Sequence, residues 1–260
     1  MAKQAWIEFP YADKAYVYTA ATAKKAWPRL HKGNREPFPE DKKVLQAWLH
    51  YHAGEFAQAV EVGLAAGAAG SNVANHAQNI YANYLEEDEA VQLRLFQEVA
   101  ARCEARMTKA PEDAFNFYLH AYALGRYSQG ISVVKALAQG LGGKIKDSLT
   151  RALDLDPEHA DAHVALGTYH AEIIDKVGSL MGGLTYGAKE KTGLEHFKRG
   201  LELFPESAIY RIEYANGLLL LKGRSGKKEA EALYREAAAA QPQDAMERLD
   251  VEQAKVELAD

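Results

Sequence analysis

Ser148–His163 reads SLTRALDLDPEHADAH: a helix that stops at Pro157, then an acidic and polar stretch able to start the next helix. Proline cannot continue the helix before it and suits the entry of the one after it. The same punctuation recurs in GLEHFKRGLELFPESAIY around Pro205 and in EALYREAAAAQPQDAM around Pro242. Pro111, in TKAPEDAFNFY, precedes them in the same style. Between these stops the chain is rich in Ala, Leu, Glu and Lys, with apolar residues at three- and four-residue spacing, which is the helical period. No run of alternating β-branched residues bounded by turns appears. The expected fold is all-α.

The segment after each proline repeats as well. YLHAYALGRY follows Pro111, HVALGTYH follows Pro157 and IEYANGLLLL follows Pro205. Ala123-Leu124-Gly125 and Ala165-Leu166-Gly167 are identical triplets 42 residues apart. Gly125, Gly167 and Ala215 are the small residues expected where two helices approach closely. The prolines are 46, 48 and 37 residues apart in turn. The first two intervals therefore carry extra segments, QGISVVKALAQGLGGK and AEIIDKVGSLMGGLTYG, both apolar and both containing paired glycines. Gly142-Gly143 and Gly182-Gly183 are expected to mark the turn between two helices. The segments themselves pack on each other, line a hydrophobic pocket or form an oligomer contact.

These features resemble the tetratricopeptide repeat, a 34-residue pair of antiparallel helices that buries its apolar face by stacking on its neighbours. A weaker copy, VLQAWLHYHAGEFAQAVEVGLAAG, spans Val44 to Gly67. The lengthened copies resemble the TRAP-transporter T-component proteins and the related regulator-of-microtubule-dynamics proteins. The resemblance implies a right-handed superhelix of antiparallel helix pairs, two of them elongated. Residues 1–40 are expected to form an N-terminal capping segment, 41–242 the repeat domain and 243–260 a C-terminal capping helix. The resemblance further implies a concave groove lined, counting from Gly125, Gly167 and Ala215, by Leu119, Tyr122, Arg126 and Gln129, by Asp161, Val164, Thr168 and Glu172, and by Ile209, Ile212, Asn216 and Leu219. Such a mixed surface suits an extended peptide, a protein partner, or an apolar ligand with a polar head.

Composition sets bounds on function. The chain has 260 residues, 48% apolar and 26% charged, with a net charge of −5. That balance speaks against a nucleic-acid partner. The apolar runs fall far short of the roughly 20 residues that span a bilayer. The N-terminal stretch shows no apolar leader core and no cysteine, so the expected location is cytoplasmic, or periplasmic where a leader has been removed. Cys103, the single cysteine, sits in a helical context and reads as a structural thiol.

No motif demands a catalyst, a cofactor or a metal. A phosphate loop needs G-x-x-x-x-G-K-[ST]; here Ala138 stands at the first glycine and Ile145 follows Lys144. His159 and His163 share a helical spacing but bring no third ligand, and His50 and His52 point apart. The H-x-E in YHAE (169–172) lacks the P-C-x-x-C of the zinc deaminases. The sequence therefore reads as a non-enzymatic binding or scaffolding protein. The alternative is an accessory solute-binding subunit, like a T-component, of a TRAP-type transport system. That alternative implies a closed apolar pocket near the two extra segments.

Overall fold

A computed structural model describes residues 6–259. The fold is all-α, and the described residues hold no strand. After α1 (Ala20–Leu30), helices stack in antiparallel pairs: α2 (Lys42–His52) with α3 (Phe56–Ala65), and α4 (Ser71–Tyr84) with α5 (Glu89–Met107). In the third pair α6 (Ala114–Gln129) runs against α8 (Leu141–Leu155), with the short α7 (Val133–Ala138) between them. In the fourth, α9 (Ala160–Val177) is joined to α11 (Glu190–Leu203) by α10 (Ser179–Met181) and a π turn at Gly182–Tyr186. Then α12 (Ala208–Lys222) pairs with α13 (Lys227–Ala238), and α14 (Ala245–Ala259) follows. The pairs wind into a right-handed superhelix.

Each boundary has a local cause. Asp41, Asp88, Asp113 and Ser207 accept hydrogen bonds from the first-turn amides of α2, α5, α6 and α12, satisfying donors that the helix itself leaves unpaired. His159 does the same for α9, its Nδ1 accepting from the Ala162 amide at 3.3 Å. The turn into α8 departs from expectation: Gly142 and Gly143 lie in the first turn of α8. Gly182 and Gly183 lie in the π turn between α10 and α11, where an interhelical turn was expected. The left-handed backbone falls instead on Gly140 (φ 65°) and Gly187 (φ 66°), where a side chain would be strained. Lys144 faces Glu104 at 3.6 Å on the surface.

Helix α4 is buried over eleven consecutive residues, Asn72 to Ala82. It packs on α2, α3, α5 and α6, and Trp6 stacks on its Tyr81 at 3.8 Å between ring centres. Its polar side chains find partners inside: Gln78 donates to the Leu95 carbonyl (3.0 Å), Asn79 to the Leu119 carbonyl (3.3 Å), and Asn75 accepts from Arg102 (2.7 Å). Cys103 lies in the same core, and burial pushes its thiol up to about 12, so it is inert at neutral pH.

Gly167 is a site of close helix approach: a Cβ there would come within 2.7 Å of the Phe197 ring. Gly125 is not, because a Cβ on it meets nothing within 4 Å. The residue ten positions after Pro111, matching Gly167 after Pro157 and Ala215 after Pro205, is Ala121, which is buried.

The two ends of the described chain meet. Arg29 of α1 pairs with Glu247 of α14 at 2.5 Å, and the Tyr18 hydroxyl donates to the Gln243 carbonyl at 2.8 Å. His52 of α2 and Asp244, which caps α14, form a buried pair at 2.7 Å. Residues 31–35 reach across to α9, where the Gly33 carbonyl accepts from the Asp161 amide at 3.3 Å. A methyl group on Gly33 would run into the Tyr210 hydroxyl and the Asp161 carboxyl, so a larger residue there must push those side chains aside.

Beyond this crossing, Asn72 donates to both Glu36 and Asp113 at 3.2 Å. Burial, reinforced by the Asp113 charge, pushes Glu36 up to about 7. The folded chain therefore holds a proton that the unfolded chain releases near 4.5. The stability tied to Glu36 is present below about 4.5 and is lost as pH rises through about 7. In Glu36→Gln this slope is expected to vanish. The drop in urea midpoint between pH 5 and pH 8 should be smaller in the variant than in the wild type, and an unchanged drop would exclude Glu36 as its source.

Candidate functional site

The inner faces of α4, α6, α9 and α12 line a common cavity of about 170 Å³. Its walls are Ile80 and Tyr84 of α4, Tyr118 and Tyr122 of α6, Val164 and Ile173 of α9, Ile209 of α12, and Met246 of α14. Helix α14 packs on α12, α13 and α2, and so completes the row of inner helices round the cavity. Both extra segments reach it: Val133, Ala136 and Leu137 of α7 line one side, and Tyr186 of the π turn another. They also meet each other, since a Cβ on Gly142 would come within 3.0 Å of the Tyr186 ring. Val133 and Leu137 line the cavity yet stay 40% and 44% exposed, which places them at its mouth.

One wall carries a polar chain that joins three helices. Lys176 pairs with Glu172 at 2.7 Å, and Gln129 donates to Glu172 at 3.3 Å. Arg126 donates to Gln129 at 3.2 Å and pairs with Glu213 at 2.8 Å, and Thr168 donates to Glu213 at 2.9 Å. The Arg126 guanidinium lies 5.3 Å from the Tyr122 ring centre, an added attraction where water is scarce. Asp161 stands apart from this chain. It accepts from the Tyr210 hydroxyl, and burial pushes it up to about 6 although that hydrogen bond opposes the shift. Between α4 and α14, Tyr84 donates to Asp250 at 2.6 Å, and burial holds Asp250 well above the usual carboxylate range. Burial also raises the phenols of Tyr118 and Tyr122, so neither acts as an acid at neutral pH.

Of the residues implied by the repeat resemblance, Tyr122, Arg126, Gln129, Asp161, Thr168 and Glu172 line this cavity, and Asn216 lies in the adjoining cleft with Arg126 and Glu213. Ile212 does not join them; it is fully buried in the core between α11, α12 and α14. Leu119 is likewise core. Ile212 is counted from Ala215; on α6 the register counted from Gly125 lies one helical turn too far along. Tyr122, Arg126 and Gln129 survive it because four residues turn a helix by little more than one full rotation. Sequence reasoning missed Tyr84, Tyr118, Glu213 and Met246. Tyr118 and Glu213 lie on helices whose inner face was identified, and no signal in the sequence placed Met246 and Tyr84 beside them.

The wall holds no histidine or cysteine among the described residues, so no nucleophile stands beside an imidazole base there. No group of three or more His, Cys, Asp or Glu among the described residues is placed to hold a metal ion. His163 sits against His196, with their Nδ1 atoms 2.9 Å apart. No described helix is long and apolar enough to cross a membrane.

Similarity to a solved structure decides the fold family. The crystal structure of a thermophilic TPR protein from Thermus thermophilus superposes on 84% of this chain and 100% of its own, with a TM-score of 0.58 at 16% identity. This is a TPR-like helical repeat protein. No family model matches its sequence, and no curated protein does. In this TPR-like chain α14 follows α12 and α13 and reaches α2, and the cavity lies between the inner helices.

Proposed function

We propose that this TPR-like protein is a non-enzymatic binding protein whose cavity takes a small, largely apolar molecule with a polar end. The observation that carries this reading is the chamber: side chains of α4, α6, α9 and α12, with Met246 of α14, surround a largely apolar space with a mouth at α7. Chambers of about 150 Å³ with such walls admit benzene-sized guests. The accessory-subunit reading, T-component-like in a transport system, draws support from the same chamber, since it calls for an apolar pocket beside the two extra segments. A protein partner would meet the exposed Val134, Leu180, Met181 and Leu184 on those segments.

Gly125 provides the test, because it borders the cavity and a side chain there meets open space. Gly125→Phe should fill the chamber without disturbing the core. N-phenyl-1-naphthylamine, a neutral apolar fluorophore, is expected to bind the wild type and to lose at least tenfold in affinity in the variant. The Tm should stay level or rise, since removing a glycine from a helix interior gains up to about 1 kcal/mol. Equal binding by the two proteins, or none by the wild type, would remove the basis of the reading.

A further inference from the structure

The charges on the cavity wall do not balance. Its acids are Asp161, Glu172 and Glu213, and its cations are Arg126 and Lys176. Lys176 is engaged by Glu172 at 2.7 Å and Arg126 by Glu213 at 2.8 Å. Asp161 is left over. Among the described residues its carboxyl has no cationic partner, only the Tyr210 hydroxyl.

The surroundings deepen the imbalance. Asp161 and Tyr210 also border a smaller cavity of about 40 Å³, whose far wall carries Asp244, Glu247 and Asp250. Asp244 shares a hydrogen bond with His52 and Glu247 pairs with Arg29, but Asp250 has only the Tyr84 hydroxyl. The histidines on that wall add no positive charge at neutral pH. Burial lowers His76 to about 3 and holds His31 well below its ordinary range. The polar end of the chamber is therefore a buried, acid-rich pocket beside tyrosine rings, with its cations already committed elsewhere.

We infer that the polar end of the ligand is a protonated amine, seated against Asp161 with its alkyl or aryl part in the chamber beside Tyr118 and Ile209. This rests on the apolar-ligand reading above. An ammonium there gains the carboxylate's charge and the faces of nearby tyrosine rings, both stronger away from water. A carboxylate head meets Asp161 and Glu213 as like charges, and an alcohol gains no charge attraction.

Calorimetric titration at pH 7.5 with octylamine, octanol and octanoate separates these cases, since the amine is then protonated and the acid ionised. Octylamine is expected to bind at least tenfold more tightly than either of the others. In Asp161→Asn that preference should collapse while octanol binds as before, which also shows the variant is folded. Octanoate or octanol matching octylamine on the wild type would overturn the amine assignment and leave the chamber reading standing, as would a preference that survives in Asp161→Asn. Failure of all three to bind the wild type would overturn both.

Discussion

Asp244→Ala is expected to cost about 3–5 kcal/mol of stability, the range seen when one member of a buried polar pair is removed. Asp244 does two things. Its Oδ2 meets His52 Nδ1 at 2.7 Å with both side chains nearly sealed from solvent, at 1% and 5% exposure. Its Oδ1 accepts from the Glu247 amide at 2.9 Å and starts α14. Alanine leaves the His52 ring buried without its partner and the first turn of α14 uncapped. Asp244→Asn keeps the cap and a hydrogen bond, so its loss should be much smaller, about 1 kcal/mol. Urea unfolding of the three proteins at pH 7 reads the difference. A loss under about 1 kcal/mol for the alanine variant would mean that this pair does not hold α14 in place.

Phe197→Ala should be comparably severe, at about 3–5 kcal/mol. Its ring is fully buried, stacks on Tyr214 at 5.3 Å, and lies between Gly167 of α9 and Gly217 of α12. At both glycines a Cβ would strike the ring, so two helix backbones rest directly on it. Backbones are poorly able to move in and refill the space, which puts the cost toward the upper end of the range. Phe197 is not on the cavity wall. The variant should therefore lose thermal stability while its affinity for N-phenyl-1-naphthylamine at low temperature stays within about twofold. A large loss of affinity alongside an unchanged Tm would contradict this placement.

How far the sequence could be read depended on what each residue answers to. Pro111, Pro157, Pro205 and Pro242 each fall between two helices, because proline's missing N–H and fixed φ act locally. The inner faces of α9 and α12 were legible for Asp161, Thr168 and Asn216, because proline-to-small-residue spacing set their register. The identical Ala-Leu-Gly triplets misled on α6: Gly125 borders empty space, and the packing position belongs to Ala121. Helix α4 was illegible for another reason. Its SNVANHAQNIYANY looks like a solvated helix, yet its amides are buried, and Asn75, Gln78 and Asn79 find backbone and side-chain partners on α5 and α6. Polarity reports burial only when the hydrogen-bond partners are known, and those lie elsewhere in the chain. The place of α14 beside the cavity was hidden likewise, since it depends on pairs such as Tyr84 with Asp250 and Arg29 with Glu247.

The meeting of Tyr18, Arg29 and His52 with the segment around α14 has a kinetic consequence. An open array of helix pairs folds through neighbours only, and each pair can melt almost independently. Here, bonds such as Tyr18 to Gln243 span 225 positions of sequence. Such long loops must close before their contacts repay the entropy, which slows folding relative to other all-helical chains. During synthesis the earlier pairs can form as they emerge, but the ring stays open, and the chamber incomplete, until α14 has left the ribosome. Once closed, the helices at either end of the ring protect each other. Amide exchange in α1 and in α14 should then proceed at one common rate, where a simple array would fray separately from each end.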